Sequence, residues 1–429
     1  MGMTPGVSGE RLRRDARAPI DAEALRAAEF PWAAETTYLN NASTGPLPER
    51  TRVALAEFNR RRTMPFQLSD SDQFAVLTES RLLVSRLLSV TPGEIALTVN
   101  TGFGLSMAAR ALPLGRGDIV LVSDKEFPAN VYPWMRLSET GVTMELVPTT
   151  ADGWPDEARL LERLSDPRVR VLAISLVQFS NGYLADLAAL SDATRRNGAY
   201  LVVDAIQAVG QVPIDLGRVQ VDVLACGGQK WLLSPWGSGF VYVRRELIPE
   251  LSPPVTGWMA FEGTDDFSRL TSYHDSLRGD ARRFELITLP YQDFAGMNAS
   301  LSLLLELGID RIAEHLRVLQ RPLVEWAVRR GVRVVSPRDR SATGILCLAP
   351  ARVDEAYRAL RAARIICSLR EEAIRLSPHA YNTVAEMERV VDVLDGVIGS
   401  SGPAPAAAGP LRGRARGGGT APGRPPERD

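Results

Sequence analysis

Of the 50 basic side chains in this 429-residue chain, 48 are arginines, and the two lysines are Lys125 and Lys230. A guanidinium keeps its proton in a protein and cannot form a Schiff base, whereas a lysine amine can. A lysine retained where arginine has replaced it almost everywhere is therefore a candidate for amine chemistry, against the plain alternative that two are left by chance. Lys230 lies in GGQKWLLSPWGSG (227–239), a Gly-rich turn flanked by aromatic residues, and Asp204 ends the apolar run AYLVVDA (199–205). In an open parallel sheet, residues just beyond the carboxyl ends of the strands face the ligand crevice, so this acid and this amine can meet there. Pyridoxal phosphate needs such a pair: a lysine to hold its aldehyde and a carboxylate to keep its ring nitrogen protonated as an electron sink. At about 4 Å and an effective dielectric near 20, one carboxylate favours the protonated ring by roughly 4 kcal/mol, about three pKa units. The competing reading is an Asp that caps a helix and a Lys on a surface turn.

Positioning that pair requires a sheet. Apolar, β-rich runs at 94–99, 118–123, 143–148, 169–177, 199–205, 221–227 and 239–245 alternate with amphipathic helical patterns. Short buried strands separated by helices imply a mostly parallel sheet covered on both faces, an α/β fold. The helical pattern Ile309–Arg330 then leads to strands at 332–336, 342–350 and 364–370, a helix over 353–363 and a final helix after Thr383, a smaller α+β unit. The expected organisation is a loose start (1–20), a large cofactor-binding domain (21–308), a linking helix with a small domain (309–400) and a disordered tail (401–429). That tail holds seven Gly, six Pro and five Arg, a composition that cannot bury a core.

Composition narrows the function classes. A formal net charge of -1 offers no electrostatic footprint for nucleic acid or anionic lipid. No apolar run approaches a membrane span of about 20 residues, and the N-terminus lacks a signal-peptide core. Cys226, Cys347 and Cys367 are far apart, and neither they nor His274, His315 and His379 have metal-ligand spacing. A cytoplasmic protein without metal is expected, with the three histidines structural.

Five further segments, in order, are YLNNASTGPLP (38–48), NTGFGLSMAA (100–109), EFPANVYPW (126–134), RRFELITLP (282–290) and IRLSPHAYNT (374–383). Together with 200–244 they resemble the class V aminotransferase family of fold-type I pyridoxal-phosphate enzymes, which includes cysteine desulfurases, kynureninases and isopenicillin-N-epimerase-like proteins. The resemblance covers roughly Tyr38 to Val397. It implies a fold-type I architecture and a homodimer with shared active sites acting on a small amino-acid substrate. By resemblance, Thr101, Gly102 and Phe103 form the phosphate turn, consistent with free N–H groups at a helix start. Phe127 stacks on the ring, Gln207 and Gln178 reach its hydroxyl, and Gln229, next to Lys230, is a further cofactor contact. Thr288 reaches the neighbouring subunit's phosphate, Arg375 clamps the substrate carboxylate bidentately, and Asn41 lies in the substrate-binding segment.

The departures are informative. Many relatives carry Ser-x-His-Lys where this chain has Gly227, Gly228, Gln229 and Lys230. A cysteine desulfurase needs a thiolate on a mobile loop, but Cys226 and Cys347 lie in apolar runs and no long loop separates Cys367 from Arg375. A non-catalytic regulator of this fold usually carries a fused DNA-binding module, which neither the stretch before Tyr38 nor the tail over 401–429 is expected to supply. Epimerisation by the simplest route needs a base on each face of the cofactor, and Tyr132 or a water is the best second candidate. Aminotransfer or β-elimination, including C–S cleavage, therefore ranks above epimerisation, and desulfuration lower still.

Overall fold

The apolar runs become strands where residues of alternate parity serve opposite faces of one sheet. In a computed structural model, residues 19–338 and 343–399 are described; the tail expected over 401–429 and residues 1–18 lie outside them. The strands are β1 (Thr37–Tyr38), β2 (Ile95–Thr98), β3 (Ile119–Ser123), β4 (Thr143–Val147), β5 (Val169–Ser175), β6 (Tyr200–Asp204), β7 (Val223–Gly227), β8 (Gly239–Val243), β9 (Arg333–Val334), β10 (Leu346–Ala349), β11 (Ile365–Ile366), β12 (Ser368–Arg370) and β13 (Ala373–Leu376). Seven form the central sheet in the order β2-β8-β7-β6-β5-β3-β4. It is parallel from β7 to β4, and β8 runs antiparallel to both of its neighbours.

Both faces are buried. Leu172, Ile174, Leu201, Val203 and Leu224 enter one apolar cluster, while Val171, Ala173, Val202, Val223 and Ala225 enter the other. This is why the strands read as continuous apolar runs. The α/β class expected from the sequence is observed.

A second sheet, β12-β13-β10-β9, is antiparallel, and the helix Val384–Gly399 packs with Ile309–Arg330 beside it. The N-terminal segment ties the two regions together. β1 pairs in parallel with β11, and the Ser377 N–H donates to Leu39 O at 2.8 Å. A few residues on, the Gly45 N–H donates to Gln229 O, also at 2.8 Å, beside Lys230. A Cβ on Gly45 would lie 2.1 Å from Lys230 O, so only glycine admits this approach.

Candidate active site

The carboxyl ends of β5, β6 and β7 bring Ser175, Asp204 and Gly227 to one edge of the sheet, with Asp204 paired to Ser175. Asp204 is buried and its Oδ1 accepts the Ile206 N–H at 3.0 Å; Oδ2 accepts no hydrogen bond from the described residues. Burial pushes its carboxyl up to about 6; the Ile206 N–H opposes this, the Glu126 carboxylate adds to it and Lys230 opposes it. Lys230 responds in the opposite direction, as burial lowers its amine to about 8 despite the attraction of Asp204. Its Nζ lies 5.7 Å from the centroid of the Phe127 ring. The expected acid, amine and aromatic ring thus share one site.

Beside them a helix begins. Asn100 caps Thr101–Ala111 by accepting the Phe103 N–H at 2.8 Å, which leaves Thr101 and Gly102 opening the first turn. Thr101 Oγ1 accepts the Gly227 N–H at 2.8 Å, joining the helix start to the end of β7. A Cβ on Gly227 would sit 2.5 Å from Gln229 Oε1 and 3.2 Å from Thr101 Oγ1. This tight, polar cradle at a helix N-terminus suits a phosphate. Gly104 in the same helix does different work: a Cβ there would strike Val241 and Ala225 at 2.5 and 2.8 Å, so it lets the helix lie close on the sheet.

Arg375 is the largest departure from ordinary surface chemistry. It is on β13, paired across to Ser368 and Cys347, and is 2% exposed. Its guanidinium donates to Phe179 O at 2.7 Å, Ser43 Oγ at 2.7 Å and Ser368 Oγ at 3.2 Å. Burial lowers it to about 10. No carboxylate among the described residues pairs with it, and a buried guanidinium held only by neutral groups is poised for an incoming anion.

Several predicted contacts are engaged elsewhere within the chain. Gln207 donates to Ala42 O at 2.9 Å and accepts from the Trp231 indole at 2.8 Å, so it braces the lysine turn. Gln178 donates to Glu126 Oε1 at 2.6 Å. Asn41 is fully buried, donating to Ser377 O and accepting from the Tyr381 hydroxyl; its neighbour Ser43 is the residue that meets Arg375. Thr288 lies at a cavity lined by Phe58, Arg62, Leu68 and Tyr291, with no hydrogen bond to Lys230 or Asp204 of its own chain.

Glu126, Ser43 and Phe179 were not singled out from sequence. Glu126 is buried and accepts from Ser175 N, Ser175 Oγ, Gln178 Nε2 and Asn130 Nδ2, which pins the segment bearing Phe127 to the end of β5. Its place directly before Phe127, just past the end of β3, was the available signal. Phe179 meets Phe127 edge to face at 5.3 Å.

The thiols are withdrawn. All three cysteines are buried, and burial raises Cys226 well above the usual thiol range and Cys347 and Cys367 to about 12. β12 turns into β13 through Glu371 and Glu372 alone, both with positive φ, so no long loop follows Cys367. Among the described residues no group of three or more His, Cys, Asp and Glu is placed to hold a metal, and no helix is long and apolar enough to cross a membrane.

The geometry fits pyridoxal phosphate: an amine with a lowered pKa, a buried carboxyl with an open oxygen, a helix start beside the end of β7 and an aromatic ring over the amine. Comparison with known proteins agrees. The aminotransferase class V family profile matches residues 37–390. An uncharacterized aminotransferase of Bacillus subtilis is 30% identical over 308 residues, covering 72% of this chain and 80% of the relative. A probable cysteine desulfurase of Pyrococcus abyssi is 26% identical over 395 residues, covering 87% and 96%. Among solved structures, the apo cysteine desulfurase of Thermococcus onnurineus NA1 superposes with a TM-score of 0.79 at 22% identity, covering 90% of this chain and 100% of that one. The cystine C–S lyase C-DES, in complex with its product cysteine persulfide, gives 0.76 at 22% identity, covering 85% and 99%. At these identities the structural likeness shows the fold.

Proposed function

The chain belongs to the class V aminotransferase family, and we propose that it acts at the α-carbon of an amino acid by one-base chemistry, with β-elimination that releases its sulfur or other leaving group ahead of thiol-carried desulfuration. It is a pyridoxal 5'-phosphate-dependent enzyme of aminotransfer or carbon–sulfur cleavage. When bound, the cofactor supplies an aldehyde carbon that links to amines and a ring that takes up electrons from the α-carbon.

In this reading, Lys230 holds the cofactor, and its amine, lowered to about 8, is partly neutral and nucleophilic at physiological pH. Asp204 would keep the ring nitrogen of the bound cofactor protonated, and Phe127, whose ring lies 5.7 Å from Lys230 Nζ, would flank it. The substrate carboxylate enters the fork of Arg375, whose orientation is set by Ser43, Phe179 O and Ser368. The Nζ of Lys230 would be the group that moves the α-proton. Phe127 cannot accept a proton, and Tyr132 is 63% exposed with no hydrogen bond to Asp204, Lys230 or Arg375, which favours one base over two.

The observation that carries the reading is the convergence of Lys230, Asp204 and an unpaired buried Arg375. The Glu371–Glu372 turn and the three buried thiols favour release of the sulfur product into solution over its capture on the enzyme. We further propose a homodimer, with 21–308 and 309–400 as the two domains of each subunit. Phe66, Trp236 and Val53 are exposed by 84%, 71% and 50%, large apolar side chains that a partner subunit would cover. A cytoplasmic location accords with three unpaired thiols. Incubation with L-cystine and other L-amino acids in deuterated water, reading keto acid, pyruvate, sulfur release and stereochemistry, tests the reaction. Formation of D-isomer at the rate of α-exchange would overturn the one-base assignment.

A further inference from the structure

Three hydrogen bonds tie down the lysine turn, on the residues either side of Lys230. Gly45 N–H holds Gln229 O, Gln207 Oε1 holds the Trp231 indole, and His379 Nε2 lies 3.1 Å from Trp231 O. The third tie is unusual because His379 follows Arg375 by four residues, on the chain leaving β13. It therefore joins the carboxylate clamp to the residue after Lys230. Its chemistry is well defined. The Ala380 N–H donates to Nδ1 at 2.8 Å, which makes Nδ1 the acceptor and leaves the ring proton on Nε2, directed at Trp231 O. The imidazole is fully buried and stacks with Trp231 at 5.6 Å and with Tyr381 at 6.1 Å. Burial holds it neutral, at about 4, so this bond keeps one polarity across the physiological range.

We propose that His379 is a positioning residue: its Nε2–H fixes the Lys230 turn relative to the Arg375 strand, so that the amine and the substrate-carboxylate fork keep one geometry. A histidine required only as packing would be replaceable by any side chain of similar bulk. A histidine required as a donor is not. The inference rests on Lys230 as the cofactor lysine.

The test compares His379→Gln with His379→Met, two side chains of nearly equal length of which only glutamine carries an N–H able to reach Trp231 O. Each full-length protein is stripped of cofactor and given pyridoxal 5'-phosphate, and the growth of visible absorption is followed together with the melting of the cofactor-free form. Loss of one buried hydrogen bond at the turn should slow adduct formation about tenfold in the methionine protein, with glutamine within about threefold of wild type. Equal rates in the two variants, or a methionine protein as fast as wild type, would overturn the proposal whatever the melts show. If the methionine protein does not fold, His379→Asn, which keeps an acceptor for Ala380 N–H but is too short to reach Trp231 O, should be as slow, and wild-type speed there would be equally fatal. A wild-type protein that forms no visible adduct would refute the preceding section's reading instead.

Discussion

Replacing Asp204 by Asn should make the cofactor-free protein more stable and the loaded enzyme nearly inactive. The Ile206 N–H bonds Asp204 Oδ1, a contact that the Asn carbonyl reproduces, so the change removes charge with little change of shape. In the folded chain the carboxyl is pushed from its ordinary 3.8 to about 6, first by burial and then by Glu126. The folded state thus binds the proton more tightly than the unfolded one, and stability falls as pH rises between those two values. Above about pH 7 the full penalty, about 3 kcal/mol, is present; near pH 4 it shrinks to about 0.5 kcal/mol. Urea denaturation of wild type and Asp204→Asn, both cofactor-free, should show the variant gaining stability progressively from pH 4 to pH 8. Turnover of the loaded variant should fall by orders of magnitude, because the charge that holds the ring proton is gone. A variant no more stable than wild type at pH 8, or a gain that does not change with pH, would refute the account of Asp204 as a buried charge kept at an energetic cost.

Other substitutions probe the rest of the site. Arg375→Lys should raise KM about 10–100-fold with cofactor affinity unchanged, since a point charge replaces a fork; equal KM values would dismiss the clamp. Replacing Cys226, Cys347 and Cys367 together by Ser should leave C–S cleavage within a few-fold of wild type if the protein folds stably, whereas loss of sulfur release from a stably folded triple variant would restore a thiol carrier. Gly45→Ala places a Cβ 2.1 Å from Lys230 O and should cost about 3 kcal/mol in denaturation; a neutral effect would contradict the close approach.

The fold was legible because every strand of the central sheet except the edge strand β4 is almost wholly buried, so these apolar runs announced themselves without alternation, and the order of runs and helices implied a parallel sheet. Asp204 and Lys230 were legible because one ends a strand and the other stands almost alone in a chain of arginines. What the sequence concealed is how side chains spend their hydrogen bonds. Gln207 and Asn41 have the right type and neighbourhood for ligand contact, yet their amides bond Trp231, Ala42, Ser377 and Tyr381 within the chain. Glu126 was hidden for the converse reason: a buried carboxylate looks like any other Glu until Ser175 and Gln178 converge on it from about 50 residues away. The role of His379 depends on a contact with Trp231 across 148 residues, which spacing alone does not reveal.

The central claim, that one amine carries the cofactor, can be read directly because the chain has only two lysines. The purified protein is saturated with pyridoxal 5'-phosphate, reduced with borohydride, digested and analysed by mass spectrometry. The account predicts one stable adduct per chain on the peptide containing Lys230, and none in Lys230→Ala. An adduct on Lys125, or an undiminished adduct in Lys230→Ala, would contradict it.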